Sequence, residues 1–325
     1  MSGPARPWLT PLVPLYRLGQ LLTENRKTVQ RLNWPVVSIG NLSTGGTGKT
    51  PLTIALARAL VARCVHVDVL SRGYGRAGTG TTLVQKEDHA KRIGDEPLLI
   101  ACEAGVPVYV DRERYEAGLL AEAQHRPDGP AVHLLDDGFQ HRQLHRDVDI
   151  LLLNRRDRHD ALLPAGNLRE ELSAVKRADV VAIPADEPEL EIELDDSGWR
   201  GQIWKLRRRM EIPAVDGPTV AFCGIARPEQ FFAGLEAAGV KLAAVLSFPD
   251  HHPYTQKDLT RLAATMRSTG ASTLLTTEKD NLRLGRMADD LPLRTVGLRT
   301  EIEDETAALE WLLERLKSRK IKPAM

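Results

Sequence analysis

The sequence predicts an α/β protein of two lobes, a mainly parallel sheet with flanking helices followed by a second, smaller α/β lobe. Three observations predict it. Short β-type apolar runs alternate with helical patterns along most of the chain, as stacked βα units require. A glycine-rich loop at 45–50 joins the first such run to the first helical pattern. Near residues 184–211 the texture turns Glu/Asp-rich and then Trp/Arg-rich, before a second α/β pattern begins.

Residues 1–33 form an unusual N-terminal segment. Trp8, Leu9, Leu12, Val13, Leu15, Tyr16, Leu18, Leu21 and Leu22 recur at helix-like spacing, with Arg6, Arg17, Arg26, Lys27 and Arg31 around them. Pro11 and Pro14 confine regular helix to the part that follows them. Such a segment could lie in a membrane interface, apolar side down and cations toward anionic headgroups; read alone, it better suits a helix packed on the protein's own core. Residues 34–183 read as a nucleotide-binding domain, with strands at 36–39, 65–70, 106–110, 131–135, 148–153 and 180–183 and helices such as 52–62 and 112–123. Residues 184–215 read as a β-type linker, a hairpin turning at Asp195-Asp196-Ser197-Gly198. In the second lobe, 216–325, strands fall at 219–223, 242–246 and 273–276, and helices at 228–238, 255–269 and 306–316.

Composition narrows the function. The chain has 325 residues, 42% hydrophobic and 5% aromatic, enough for substantial cores. Lys+Arg and Asp+Glu each total 44, so no nucleic-acid partner is expected, and no protein partner is indicated. Cys64, Cys102 and Cys223 stand apart with no C-x-x-C spacing and read as buried thiols in a reducing cytosol. No apolar run reaches the about 18 residues a bilayer span needs, and the start lacks the pattern of a secretory signal.

The chemistry begins in VVSIGNLSTGGTGKTP at 36–51. A strand, a glycine-rich loop and a helix start make a phosphate cradle, because glycines let backbone N–H groups turn toward an anion and the helix N-terminus adds partial positive charge. Gly45, Gly46, Thr47 and Gly48 would cradle phosphates, Lys49 would reach the β/γ-phosphates, and the Thr50 hydroxyl would ligate Mg²⁺. The strict P-loop spacing wants glycine where Ser43 stands. The surviving G-G-x-G-K-T is close to the variant loops of ParA/MinD-like ATPases, with Thr44 where those carry a second lysine. The apolar run at 131–135 then ends in Asp136-Asp137-Gly138. Alone this is a turn signal; at a strand's C-terminal end beside a P-loop, it is a Walker B element holding Mg²⁺. The fold class is thus P-loop NTPase-like, with ATP and Mg²⁺ expected.

Three other features weigh less. Gly73-Tyr74-Gly75-Arg76-Ala77-Gly78 matches G-x-G-x-x-G, but β-branched residues 79–84 follow instead of a helix, so a dinucleotide site is rejected. His141 and His145 are spaced as a metal pair if helical, yet lack an evident third ligand. Lys205-Leu206-Arg207-Arg208-Arg209 is a solvated face or a contact for anionic headgroups.

An ordered set of strings resembles one family. GNLSTGGTGKTP (40–51), SRGYGR (71–76), GDEP (94–97), DDGFQH (136–141), PDHHPYT (249–255) and TTEKD (276–280) together look like tetraacyldisaccharide 4'-kinase, the lipid A 4'-kinase of Gram-negative bacteria. Family members commonly have Leu-Arg-Glu-Pro where this chain has Leu168-Arg169-Glu170-Glu171, which weakens any role for Glu170. The resemblance implies transfer of the ATP γ-phosphoryl group to the 4'-hydroxyl of a tetraacylated glucosamine disaccharide 1-phosphate. It also implies two lobes with the active site between them, and a peripheral enzyme on the cytoplasmic face of the inner membrane. That shifts the N-terminal segment toward membrane contact.

Residue roles follow from the same resemblance. Asp95 of GDEP is implied as the base, supported by His251; on its own Asp95 is a helix N-cap and His251 a loop residue. A carboxylate–imidazole pair can take the proton of a sugar hydroxyl, at either member. Arg72, Tyr74, Gln140, His141 and Glu170 are candidates for substrate contact, Arg72 and Tyr74 toward the acceptor sugar and Gln140 and His141 also for support of Asp137; Glu278 and Asp280 are candidates for the cleft. Two rivals remain from the residues themselves. A ParA- or metallochaperone-like nucleotide switch lacks here the second lysine and a C-x-x-C motif; a soluble-metabolite kinase would have no use for the amphipathic N-terminus.

Overall fold

The computed structural model describes residues 6–24 and 28–318. Arg26 and Lys27, and the side chains of Leu21 and Leu22, lie outside the described residues. A 3₁₀ turn, Pro7–Leu12, leads into α1 (Val13–Glu24), so Pro14 sits in the first turn, where its missing N–H costs nothing.

The first lobe then runs β1 (Val36–Asn41), α2 (Lys49–Val61), β2 (His66–Ser71), β3 (Thr82–Leu83), α3 (Ala90–Ile93), α4 (Asp95–Ala104), β4 (Val108–Val110), α5 (Arg114–Gln124), β5 (Ala131–Asp136), β6 (Val148–Leu152), α6 (Arg155–Arg158) and β7 (Val180–Pro184). After it come α7 (Glu189–Asp196), β8 (Gln202–Glu211), β9 (Thr219–Cys223), α8 (Pro228–Ala237), β10 (Leu242–Ser247), α9 (Gln256–Thr269), β11 (Thr273–Thr277), α10 (Glu278–Leu284), β12 (Leu293–Ile302) and α11 (Glu305–Lys317). A twelve-stranded sheet orders them β10-β9-β11-β12-β8-β7-β6-β1-β5-β2-β4-β3. Among the described strands of this sheet, the β8–β12 and β3–β4 pairings are antiparallel and the others parallel. β1 is buried along its whole length, as a parallel strand covered on both faces must be.

The linker differs from the expected hairpin. Residues 184–215 contain α7 and the single strand β8, which pairs in parallel with β7. Leu190 and Leu194, four apart, bury one helical face against Val181, Ile183 and Trp199, and Glu189 and Glu191 suit the positive end of the helix. Asp195-Asp196-Ser197-Gly198 is therefore not a hairpin turn: it ends a helix, with Gly198 at φ +74° just beyond it. The β7-α7-β8 unit is a crossover between parallel strands, which a hairpin cannot make.

The expected 216–325 lobe also needs correction at its end. Leu309, Leu312 and Leu316 of α11 join the core formed by Val148, Ile150, Val180 and Trp204 of the first lobe. The chain returns to that lobe through β12, a ten-residue strand whose alternating charges hid it from an apolar-run reading.

Candidate active site

Two half-sites face each other. The first lies at the C-terminal ends of the central strands. Ile39 of β1 is in register with Asp136 of β5, so the glycine loop and the acidic pair leave the sheet at one edge. Gly48 caps α2 at φ +93°, a left-handed conformation that glycine adopts without a side-chain clash. A Cβ there would also stand 2.6 Å from the Arg208 guanidinium, which donates to the Thr47 carbonyl.

Lys49, the first residue of α2, donates to Asn41 Oδ1 at 2.9 Å and lies 3.4 Å from the Asp137 carboxylate. Burial lowers its proton affinity, and Asp137 and Asp136 act in the other direction. Arg169 donates to both Asp137 oxygens, at 2.9 and 3.0 Å, and to Gln140 Oε1 at 3.2 Å. Burial alone would raise the Asp137 carboxyl; Lys49 and Arg169 outweigh it and hold it below its usual range. At Asp136 the more distant Lys49 and Lys279 offset burial only in part. Burial first, then Asp137 and Glu96, push its carboxyl up to about 6. Thr53 and Ser71 place hydroxyls 3.4 and 3.5 Å from it.

The residues present fit a magnesium nucleotide. Thr47 Oγ1 is buried with no hydrogen-bond partner among the described residues. Gly45 and Gly46 have nothing within 4 Å of where a Cβ would be, so the loop opens onto free space. Two adjoining carboxylates and the nearby Thr50 offer the hard oxygen donors that Mg²⁺ prefers.

The second half-site spans the lobes. Asp95 opens α4 directly after Gly94, whose φ of +105° favours glycine and where a Cβ would stand 3.2 Å from Gly73 Cα. His251 sits at φ +57° in the loop after β10 and places Nδ1 2.8 Å from Asp95 Oδ2. Burial would raise the Asp95 carboxyl, but hydrogen bonds from His251 and Arg283 lower it to about 2. The bond to Asp95 in turn raises the His251 imidazole above its ordinary value, with burial opposing. Lys279 pairs with Glu96 at 2.6 Å beside them, and both also act on the ionisation of Asp136. The two half-sites therefore share one electrostatic field.

The remaining expected residues fall in different places. Tyr74 is exposed beside the second half-site, its ring 6.4 Å from that of His251; Arg72 is exposed on the same loop. Gln140 donates to the Asn41 carbonyl and accepts from Arg169, so it reaches Asp137 through that arginine. His141 follows Gly138 in a turn, its N–H on the Gly138 carbonyl, and 141–145 is not helical. Glu170 is paired with Arg142 and Arg177 at 3.0 and 2.8 Å, away from the Asp95–His251 pair. Glu278 is tied to Arg299, and Asp280 is fully buried beneath Arg283. Sequence reasoning missed Asn41, Arg169, Lys279 and Arg283 as site residues. Three of them stand inside or beside the quoted strings; Arg283 carried no signal beyond its place three residues after Asp280.

A P-loop beside an acidic strand end, facing a carboxylate–imidazole pair across two lobes, defines an ATP-dependent phosphotransferase class. The comparisons name the family. A family model described as tetraacyldisaccharide-1-P 4'-kinase matches residues 5–317, and the chain belongs to that family. It is 41% identical over 301 residues to the tetraacyldisaccharide 4'-kinase of Koribacter versatilis, covering 89% of this chain and 91% of that protein. Identity to the Chromobacterium violaceum enzyme of the same name is 36% over 336 residues, 97% and 96% of the two chains. A crystal structure of LpxK from Aquifex aeolicus in complex with ATP matches with a TM-score of 0.73 and 32% identity over 95% of this chain and 98% of that one.

Proposed function

We propose that this kinase transfers the γ-phosphoryl group of ATP to the 4'-hydroxyl of a tetraacyl disaccharide 1-phosphate, as a peripheral enzyme on the cytoplasmic face of the inner membrane. The observation that carries the chemistry is the 2.8 Å Asp95–His251 contact between lobes, placed in one field with the P-loop acids.

Phosphoryl transfer asks a protein mainly to position groups and neutralise charge. Gly45 to Gly48 cradle the phosphates, and Lys49 exchanges its Asn41 and Asp137 contacts for phosphate oxygens. Thr50 with Asp136 or Asp137 holds Mg²⁺, which when bound neutralises developing charge on the phosphate oxygens. Arg169 keeps Asp137 ionised and in place. Asp95 and His251 together take the hydroxyl proton, and their 2.8 Å contact lets the pair share its charge. Arg72 and Tyr74, with Gln140 and His141, line the approach of the acceptor sugar.

The membrane reading rests on α1 and the turn before it. Trp8, Leu12, Leu15 and Leu18 are exposed, while Tyr16 and Gln20 on the other side bond to the Arg169 carbonyl. No helix among the described residues is long and apolar enough to cross a membrane. The deciding experiment follows labelled γ-phosphate from ATP into tetraacyl disaccharide 1-phosphate in detergent micelles, wild type beside Asp95→Ala. A 4'-phosphorylated product, reduced about 10²- to 10⁴-fold in the variant, is expected. ATP hydrolysis without lipid product from the folded wild type would overturn the reading and favour a nucleotide switch.

A further inference from the structure

The tightest cluster in the cleft is organised by a side chain that the proposed chemistry leaves idle. Arg283, near the end of α10, is almost wholly buried, with 6% of its side chain exposed. Its Nε donates to Asp95 Oδ2 at 2.7 Å, and Nη2 lies 2.5 Å from the same oxygen. Nη1 donates to the Gly224 carbonyl at 2.6 Å and to Asp280 Oδ1 at 2.9 Å. Nη2 also stands 3.3 Å from His251 Nδ1. One planar fork thus touches both members of the proton-accepting pair and a third, buried acid.

That third acid is anchored. Asp280 has no exposed surface, and its Oδ1 accepts from the Gly224 N–H and the Tyr254 hydroxyl, both at 3.0 Å. Its Oδ2 accepts from the Thr277 hydroxyl at 2.7 Å. The guanidinium therefore starts from a rigid seat in the second lobe and reaches across to the first.

We infer that Arg283 is a positioning residue for phosphoryl transfer: its guanidinium, seated on Asp280 and the Gly224 carbonyl, fixes the Asp95 carboxylate and the His251 ring against each other as the lobes meet. The inference rests on Asp95 and His251 acting as the base. Every hydrogen bond to the Asp95 carboxylate among the described residues falls on Oδ2, which leaves Oδ1 for the acceptor hydroxyl. Lysine cannot replace the fork, because one ammonium cannot hold the Asp95 carboxylate, Asp280 and a carbonyl in three fixed directions.

The charge of Arg283 has a second consequence. The groups facing Asp95 and His251 are Glu96 on α4, Asp250 on the histidine's own loop, Lys279, Asp280 and Arg283 on α10, and Tyr74 from the loop after β2. Of these, Arg283 is the cation in direct contact with both members of the pair. Removing it raises the proton affinity of Asp95 and of His251 alike. The acid limb of activity therefore moves to higher pH, whichever member holds the proton.

The test compares wild type, Arg283→Gln and Arg283→Lys in the full chain. In the lipid-phosphorylation assay, Arg283→Gln should lower kcat about 10²-fold, the loss expected for a reacting group displaced by about 1 Å. KM for ATP should be unchanged and the acid limb shifted upward. Arg283→Lys should lower kcat while keeping the wild-type acid limb. In parallel, NMR titration of the His251 imidazole without nucleotide should give a higher midpoint in Arg283→Gln; this readout needs no turnover, so it stands even if the wild type makes no lipid product. A folded Arg283→Gln with both the His251 midpoint and the acid limb unmoved overturns the inference. So does an Arg283→Lys enzyme with wild-type kcat, which decides the matter if the glutamine variant does not fold.

Discussion

The exposed face of the N-terminal helix makes a quantitative prediction. Trp8, Leu12, Leu15 and Leu18 leave 72%, 47%, 66% and 52% of their surfaces exposed. Full burial of one such side chain is worth about 2 kcal/mol, so seating the exposed two-thirds of Leu15 in a bilayer interface gains roughly 1.3 kcal/mol, or about tenfold in binding. Replacing all four by serine should cost about 5 kcal/mol at most, so vesicle binding should fall by as much as about 10³-fold. The helix should survive, because Val13 packs on the core and Tyr16 and Gln20 bond to the body from the other side. The assay is co-sedimentation with phosphatidylglycerol-containing vesicles, beside kcat/KM for the lipid acceptor and for a short-chain soluble analogue. Binding and lipid kcat/KM should fall together while the soluble analogue reacts as before. A quadruple variant that sediments with vesicles as the wild type does would refute the reasoning.

Other consequences concern the interior and the site. Gly40→Ala would put a Cβ 2.5 Å from Phe139 Cβ and 2.8 Å from the Phe139 backbone nitrogen; overpacking against backbone should cost about 1–3 kcal/mol, read as a lowered urea midpoint with weakened ATP binding. Lys49→Met should lower kcat by about 10²- to 10³-fold, measured at saturating ATP with the fold checked by circular dichroism. Asp68, fully buried on β2, has its carboxyl raised by burial and then by Glu122 to about 7 from 3.8. A raised acid means the folded state holds a proton that the unfolded chain has lost, so this group's contribution falls as pH rises from about 4 to 7. Asp68→Asn should remove that slope and gain up to about 4 kcal/mol at pH 8 relative to pH 4, seen by denaturation at both pH values; equal slopes in both proteins would reject this account.

What could be read from the sequence was what lies close together along it. Strand, glycine loop and helix start are contiguous from Val36 to Val61, so their spacing alone places the cradle proposed for phosphate. Asp136-Asp137 was legible for the same reason, as an acidic pair ending an apolar run. The hairpin expectation failed because Asp-Asp-Ser-Gly terminates a helix as readily as it turns a hairpin, and the difference lies in Leu190 and Leu194 finding a core. β12 stayed hidden because it pairs with β8 partly through charge: Arg207 stands opposite Glu301, and Arg299 bonds to Glu211 and Glu278. Arg283 was illegible in principle. An arginine on a short helix reads as a solvated cation until another lobe is folded over it.

The three acids of α4 explain why the site needs two lobes. Asp95, Glu96 and Glu103 meet Arg283, Lys279 and Arg299, and every one of those cations comes from the segment 279–299. The contacts are graded. Arg283 and Asp95 are nearly inaccessible, whereas about a quarter of each side chain is open at the other two pairs. Salt screens open pairs far more than buried ones, so Glu96–Lys279 and Glu103–Arg299 can be made and broken as the lobes move at modest cost. Parting Asp95 from Arg283 would strand two buried charges. In the proposed mechanism the outer pairs would loosen first, while the buried Asp95–Arg283 contact holds the proposed base in place.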